Sequence, residues 1–175
     1  MGRKFFFTDT VPASAPITSR LGVQNAPYKD TEIGKLVKNT TESGHVLCAA
    51  GDQIGGQVVA IDNATADGYG LGSVQRKDRI RVTFDGSQAA GTGDIALFDQ
   101  VVCGTVVAKD TALTTHPKVR KATIQVGTTA AADLTAAVAH MALLASGNIW
   151  KVISLGTAGT GAVGTEGVIE RATDL

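Results

Sequence analysis

Apolar and polar residues alternate most cleanly at 79–84, where Ile80, Val82 and Phe84 fall between Arg79, Arg81 and Thr83. A period of two is the mark of a strand with one face buried and the other in solvent or at an interface. Short apolar runs at 35–38, 46–49, 57–61, 101–107, 149–155 and 167–171 alternate with glycine and aspartate turns at 42–44, 51–52, 55–56, 67–68, 85–86 and 93–94. Strands this short and this regularly spaced predict a mainly β protein, a small β-barrel or β-sandwich. One stretch departs from the pattern. Residues 130–146 are rich in Ala and Leu and place Leu134, Val138 and Met141 at helical spacing. Thr128 and Thr129 stand ready to cap, Asp133 falls in the first turn, and Gly147 follows as a left-handed stop. This predicts one helix, packed on the β body through those three side chains. No internal repeat strong enough for a solenoid is legible.

Before residue 34 the periodicity lapses. Pro12, Pro16 and Pro27 each bias the preceding residue towards extended backbone, and residues 1–33 read as an extended N-terminal arm ahead of a β-rich domain at 34–175. The arm carries Phe5, Phe6 and Phe7, three of the five Phe in the chain. Fully extended at roughly 3.3 Å per residue it would reach about 110 Å, and its phenyl rings need a surface to dock on.

Composition narrows the class. Sixteen basic and sixteen acidic residues in 175 leave no net field to gather nucleic acid or an anionic membrane. No run of about 18 apolar residues could span a bilayer, and the apolar stretch in MGRKFFFTDT is too short for a secretory signal, so a product of the cytoplasm is expected. Cys48 and Cys103 lie in separate runs without CxxC spacing and are expected as small buried hydrophobes.

The chain offers no legible catalytic chemistry. His45, His116 and His140 match no zinc pattern and read as surface or helix positions, and Ser87, Ser146 and Ser154 lack a nucleophile elbow. In the loop 62–68, placing Gly68 at the sixth calcium-loop position puts Val74 where a bidentate Glu is required. The run Gly159-Thr160-Gly161-Ala162-Val163-Gly164 has the spacing of a dinucleotide fingerprint, but no helix or acidic residue about 20 positions on follows it, so it reads as the loop of a hairpin. No catalytic residue, cofactor or metal is expected. Basic clusters at 76–81 and 116–121 contain no aromatic residue to stack on bases. The clusters read as solvated strand faces or as contacts for an acidic protein partner, and Arg76, Lys77, Arg79 and Arg81 are the candidates for electrostatic docking on such a surface.

The order GKLVKNTTESGHVLCAAGDQIGGQVVAI, then RIRVTFDG, then WKVISLGTAGTGAVGTEGVIER, resembles the small capsid cement or decoration proteins of tailed bacteriophages, over roughly 34–171. The resemblance implies a non-enzymatic structural protein, made in the host cytoplasm and carried on the virion exterior. It further implies a homo-oligomer, most often a trimer, that binds the major capsid protein and staples adjacent capsomers. The arm has no counterpart in that resemblance, so Phe5, Phe6 and Phe7 are expected as interface residues on physical grounds alone. A small-ligand-binding or enzymatic β-barrel and a tail or fibre component are the alternatives.

Overall fold

A computed structural model describes residues 17–23, 26–40, 44–62, 70–76, 79–87, 93–105, 116–122, 137–138, 141 and 149–172. The first strands are β1 (Ile17–Val23), β2 (Ala26–Pro27), β3 (Leu36–Asn39), β4 (His45–Leu47), β5 (Gly56–Asp62) and β6 (Gly70–Gln75). β2 folds back on β1, and the other five close on themselves in the order β1-β4-β3-β5-β6, with β6 returning to β1. A second barrel follows, made of β7 (Arg79–Phe84), β8 (Gln100–Cys103), β9 (Lys118–Lys121), β10 (Trp150–Ser154) and β11 (Glu166–Arg171). It closes in the order β7-β9-β8-β10-β11.

The two orders are the same. In each barrel the first strand lies beside a later one in parallel (β1 with β4, β7 with β9), and the other pairs are antiparallel. A bulge interrupts the register after Val58 in β5 and after Val152 in β10. Setting those two valines equivalent carries the match through every pairing. Val58 N–H donates to Lys35 O at 3.0 Å and Val152 N–H to Asp99 O at 3.0 Å. Gly34 N–H donates to Val58 O at 2.7 Å and Phe98 N–H to Val152 O at 2.8 Å. One barrel plan is thus used twice.

The inward positions match as well. Leu21, Val37, Val58 and Val74 fill the first barrel, and Phe84, Val101, Val152 and Ile169 occupy the equivalent places in the second. β-Branched side chains dominate both sets, as suits a pleated surface packed on one face. Gly72 and Gly167 also coincide. A Cβ at Gly72 would run into Ala60 O and Leu21, and one at Gly167 into Ser154 O and Phe84, so each glycine makes room for the carbonyl of the bulge and a large core side chain.

The barrels meet through β3 and the loop after β4. Successive strand residues face opposite ways, so Val37 enters the first core while Leu36, with Cys48 and Ile54, joins the second. Trp150 is fully buried at this seam, and its Nε1–H donates to Ile54 O at 2.9 Å. Gly51 N–H donates to Cys103 O at 2.8 Å and Cys103 N–H to Asp52 O at 3.0 Å.

Several expectations change. The mainly β class holds, in the form of two small closed barrels rather than a sandwich. Residues 17–23 and 26–33 are not an arm: β1 pairs with both β6 and β4, Leu21 is fully buried, and Asp30–Glu32 form a single 3-10 turn ahead of the buried Ile33. Phe5, Phe6 and Phe7 lie outside the described residues. Of the expected helix at 130–146, Ala137, Val138 and Met141 are described and have helical backbone. Val138 is 58% and Met141 68% exposed, so these two do not pack on a core, and Leu134 lies outside the described residues. The stretch 159–164 lies in the loop of the antiparallel β10–β11 hairpin.

Candidate protein-binding surface

β7 has the alternation that its sequence predicts. Ile80, Val82 and Phe84 are fully buried, Arg79 is exposed and Arg81 half-buried on the other face. Arg79 Nε lies 3.6 Å from Glu170 Oε1 on the neighbouring β11, an exposed pair worth about 0–1 kcal/mol. Arg76 is placed differently from the expected docking set. It is half-buried where β6 ends, its Nε is buried without a hydrogen-bond partner, and its carbonyl accepts from Arg171 Nη1 at 3.4 Å. Arg76 and Arg171 hold equivalent places in the two barrels, directly after Gln75 and Glu170. Burial, and then the Arg76 charge, pull Arg171 below the ordinary guanidinium value. Lys77 lies outside the described residues.

A turn that the sequence did not single out is the other feature of this surface. Asp99 N–H donates to Ala96 O at 3.2 Å, and Ala96 N–H donates back to Asp99 Oδ2 at 2.8 Å. Lys121 Nζ stands 2.8 Å from the other carboxylate oxygen. Between them Phe98 has φ 67°, the only described residue besides glycine with positive φ. The residue is 72% exposed, with Leu97 exposed beside it. Ile95 N–H donates to Gly161 O at 2.9 Å, joining this segment to the β10–β11 loop, where Val163 is also exposed. Gly34, the equivalent residue in the first barrel, has φ 90°.

The remaining polar groups serve the fold. His45 is buried at the start of β4, against the expectation of a surface or helix position, with Nδ1 2.6 Å from Ser19 Oγ; burial, and then Arg76, lower its basicity. His116 is also lowered by burial, with Glu166 3.8 Å away opposing the shift. His140 lies outside the described residues. Burial alone would raise Asp85, but hydrogen bonds from Thr105 (N–H to Oδ2, 2.6 Å) and the Lys118 ammonium together hold it below the usual carboxylate value. Burial pushes Tyr28 up to about 12, although its hydroxyl oxygen accepts from Leu47 N–H. Cys48 and Cys103 are free and buried, as expected, but they lie in one core, which nothing in their spacing foretold. Among the described residues no group of three or more His, Cys, Asp or Glu could hold a metal ion.

Compared with known proteins, the chain matches no family model, no curated protein and no solved structure.

Proposed function

We propose that this chain is a non-enzymatic capsid cement protein of a tailed bacteriophage, binding the outside of the shell and bracing neighbouring capsomers. The observation that carries the reading is Phe98. A left-handed backbone costs an L-residue about 1–2 kcal/mol, and the first barrel avoids that cost with Gly34 at the same place. The exposed ring recovers little of it from its own chain. A rigid, exposed aromatic beside Leu97 is instead the kind of anchor that dominates protein–protein interfaces. The sequence resemblance over roughly 34–171 supplies the class of partner, a major capsid protein, and the homo-oligomer, with a trimer favoured.

The docking set in this reading is Leu97 and Phe98 as apolar anchors and Arg79 and Arg81 as the charged strand face, with Phe5, Phe6 and Phe7 tethering a neighbour. Arg76 is left out because its guanidinium is partly buried where β6 ends. Heads stripped of this protein and re-exposed to it provide the test. Phe98→Gly is expected to lower occupancy at all salt concentrations. The pair Arg79→Glu and Arg81→Glu should lower it chiefly at low salt, where surface charges are least screened. Full occupancy by both variants, or co-purification with tails instead of heads, would overturn the proposal.

A further inference from the structure

Cys48 and Cys103 are about 55 residues apart in sequence and belong to different barrels, yet the seam sets them side by side. Cys48 closes β4's end of the loop, with its N–H donating to Leu36 O at 3.1 Å and its Sγ 3.7 Å from Gln53 O. Cys103, the last residue of β8, is held by both backbone groups against the same short loop, accepting from Gly51 N–H and donating to Asp52 O. That loop is itself closed: Asp52 N–H donates to Ala49 O at 3.0 Å, Ala49 N–H donates to Asp52 Oδ2 at 2.7 Å, and Lys38 Nζ pairs with Asp52 Oδ2 at 2.7 Å. Both thiols therefore sit on fixed backbone around one short loop and face one core, near enough that each shifts the other's ionisation.

From this placement we infer that Cys48 and Cys103 form an intramolecular disulfide, a covalent clamp across the barrel seam, when the reduced chain meets a peroxide. Hydrogen bonding to Cys103 and burial push the Cys48 thiol up, and the same hydrogen bond pulls Cys103 down against its burial, so Cys103 ionises first. The Cys103 thiolate attacks one peroxide oxygen, the O–O bond breaks, and hydroxide leaves and takes up a proton. The Cys48 sulfur then attacks the Cys103 sulfenic acid, the S–O bond breaks, and the oxygen departs as water with the Cys48 proton. Two thiols and one peroxide give one disulfide and two waters. A reducing compartment keeps the pair as thiols; an oxidising one closes it. The first step needs only a small oxidant, which suits thiols this deeply buried.

The test uses the full chain, folded, with and without hydrogen peroxide. Trypsin separates the cysteines, because cleavage after Lys38 and Arg76 releases 39–76 and cleavage after Arg81 and Lys109 releases 82–109. The expected result is a cross-linked 39–76/82–109 species lighter by two hydrogens than the sum of its peptides and no titratable thiol in denaturant. The melting temperature should rise by about 10 °C, the order expected when a loop of this length is closed. The increase should be absent in Cys48→Ala. That change puts at 48 the residue that the second barrel carries at the equivalent place, Ala122, so the variant should fold. Two surviving thiols, sulfinic or sulfonic acid on uncoupled peptides, or a bond between two chains would each overturn the inference. The peptide map needs no variant, so it decides the matter even if Cys48→Ala fails to fold.

Discussion

At position 45 the first barrel places an imidazole where the second has Val119, and at position 19 a hydroxyl where the second has Val82. The second barrel therefore shows what an apolar version of the same site looks like. Removing one partner of a buried polar pair strands the other, whereas replacing both with apolar side chains of suitable shape is close to neutral. His45→Val alone should thus destabilise by about 1–2 kcal/mol, and Ser19→Val with His45→Val by clearly less, as measured by chemical denaturation. The pair also sets a pH dependence. His45 and His116 both have folded-state values below the ordinary 6.5, so the unfolded chain takes up protons more readily than the folded one. Their contribution is complete above pH 6.5 and is lost as the pH falls through and below it. Urea midpoints should therefore fall between about pH 7.5 and about pH 5.5, and the fall should be shallower in the double valine variant, with His116 supplying the remainder. At Phe98 the expectation has the opposite sign: Phe98→Gly should leave the isolated protein as stable or more stable by up to about 1 kcal/mol. A loss greater than that would mean the ring packs on its own chain.

Among the elements, those with apolar alternation were legible from sequence and those built on glycine or charge were not. β7 is legible at its full extent because its inward residues are Ile, Val and Phe at period two; β5, β10 and β11 are legible within a residue or so at each end as short apolar runs bounded by turns, although a bulge breaks the period in β5 and β10. β6 reads GLGSVQ, and its two glycines hide the alternation because one of them is where the bulge carbonyl and Leu21 come close. β9 reads KVRK; Val119 alone carries the inward signal, and three basic residues make it look like a surface cluster. β1 was masked by the prolines on either side of it. Within the binding surface, Arg79 and Arg81 were legible from the same alternation. Phe98 was not, because its meaning depends on a backbone angle and on comparison with Gly34. The seam is the element-level feature most open to measurement. Trp150→Phe removes the donor to Ile54 O and leaves a small cavity, and should cost about 2 kcal/mol.

Taken whole, the molecule is two barrels with a shared apolar seam, so neither can lose its core without exposing part of the other's. A single cooperative transition is expected. Trp150 is the only tryptophan, so its fluorescence reports the seam itself, and its urea transition should coincide with that of the β circular dichroism signal. Two separated transitions would mean that the barrels unfold independently. Removal of residues 2–16 stops just short of β1 and should leave this transition in place while weakening retention on heads, if Phe5, Phe6 and Phe7 dock in a neighbour as proposed.

Using one strand order twice in one chain creates a hazard: during folding, a strand can enter the wrong barrel in perfect register. The side chains at one equivalent pair act as a steric key against that error. Trp150 begins β10 at the place that Gly56 holds in β5, and at Gly56 even a single added carbon would meet Gln75 O and Val74. β10 cannot replace β5, because the indole has no room there. β5 placed in the second barrel would leave the indole's volume empty and the seam open. Size at one position thus sorts two otherwise interchangeable strands, and Gly56→Ala, small as it is, should lower the refolding yield.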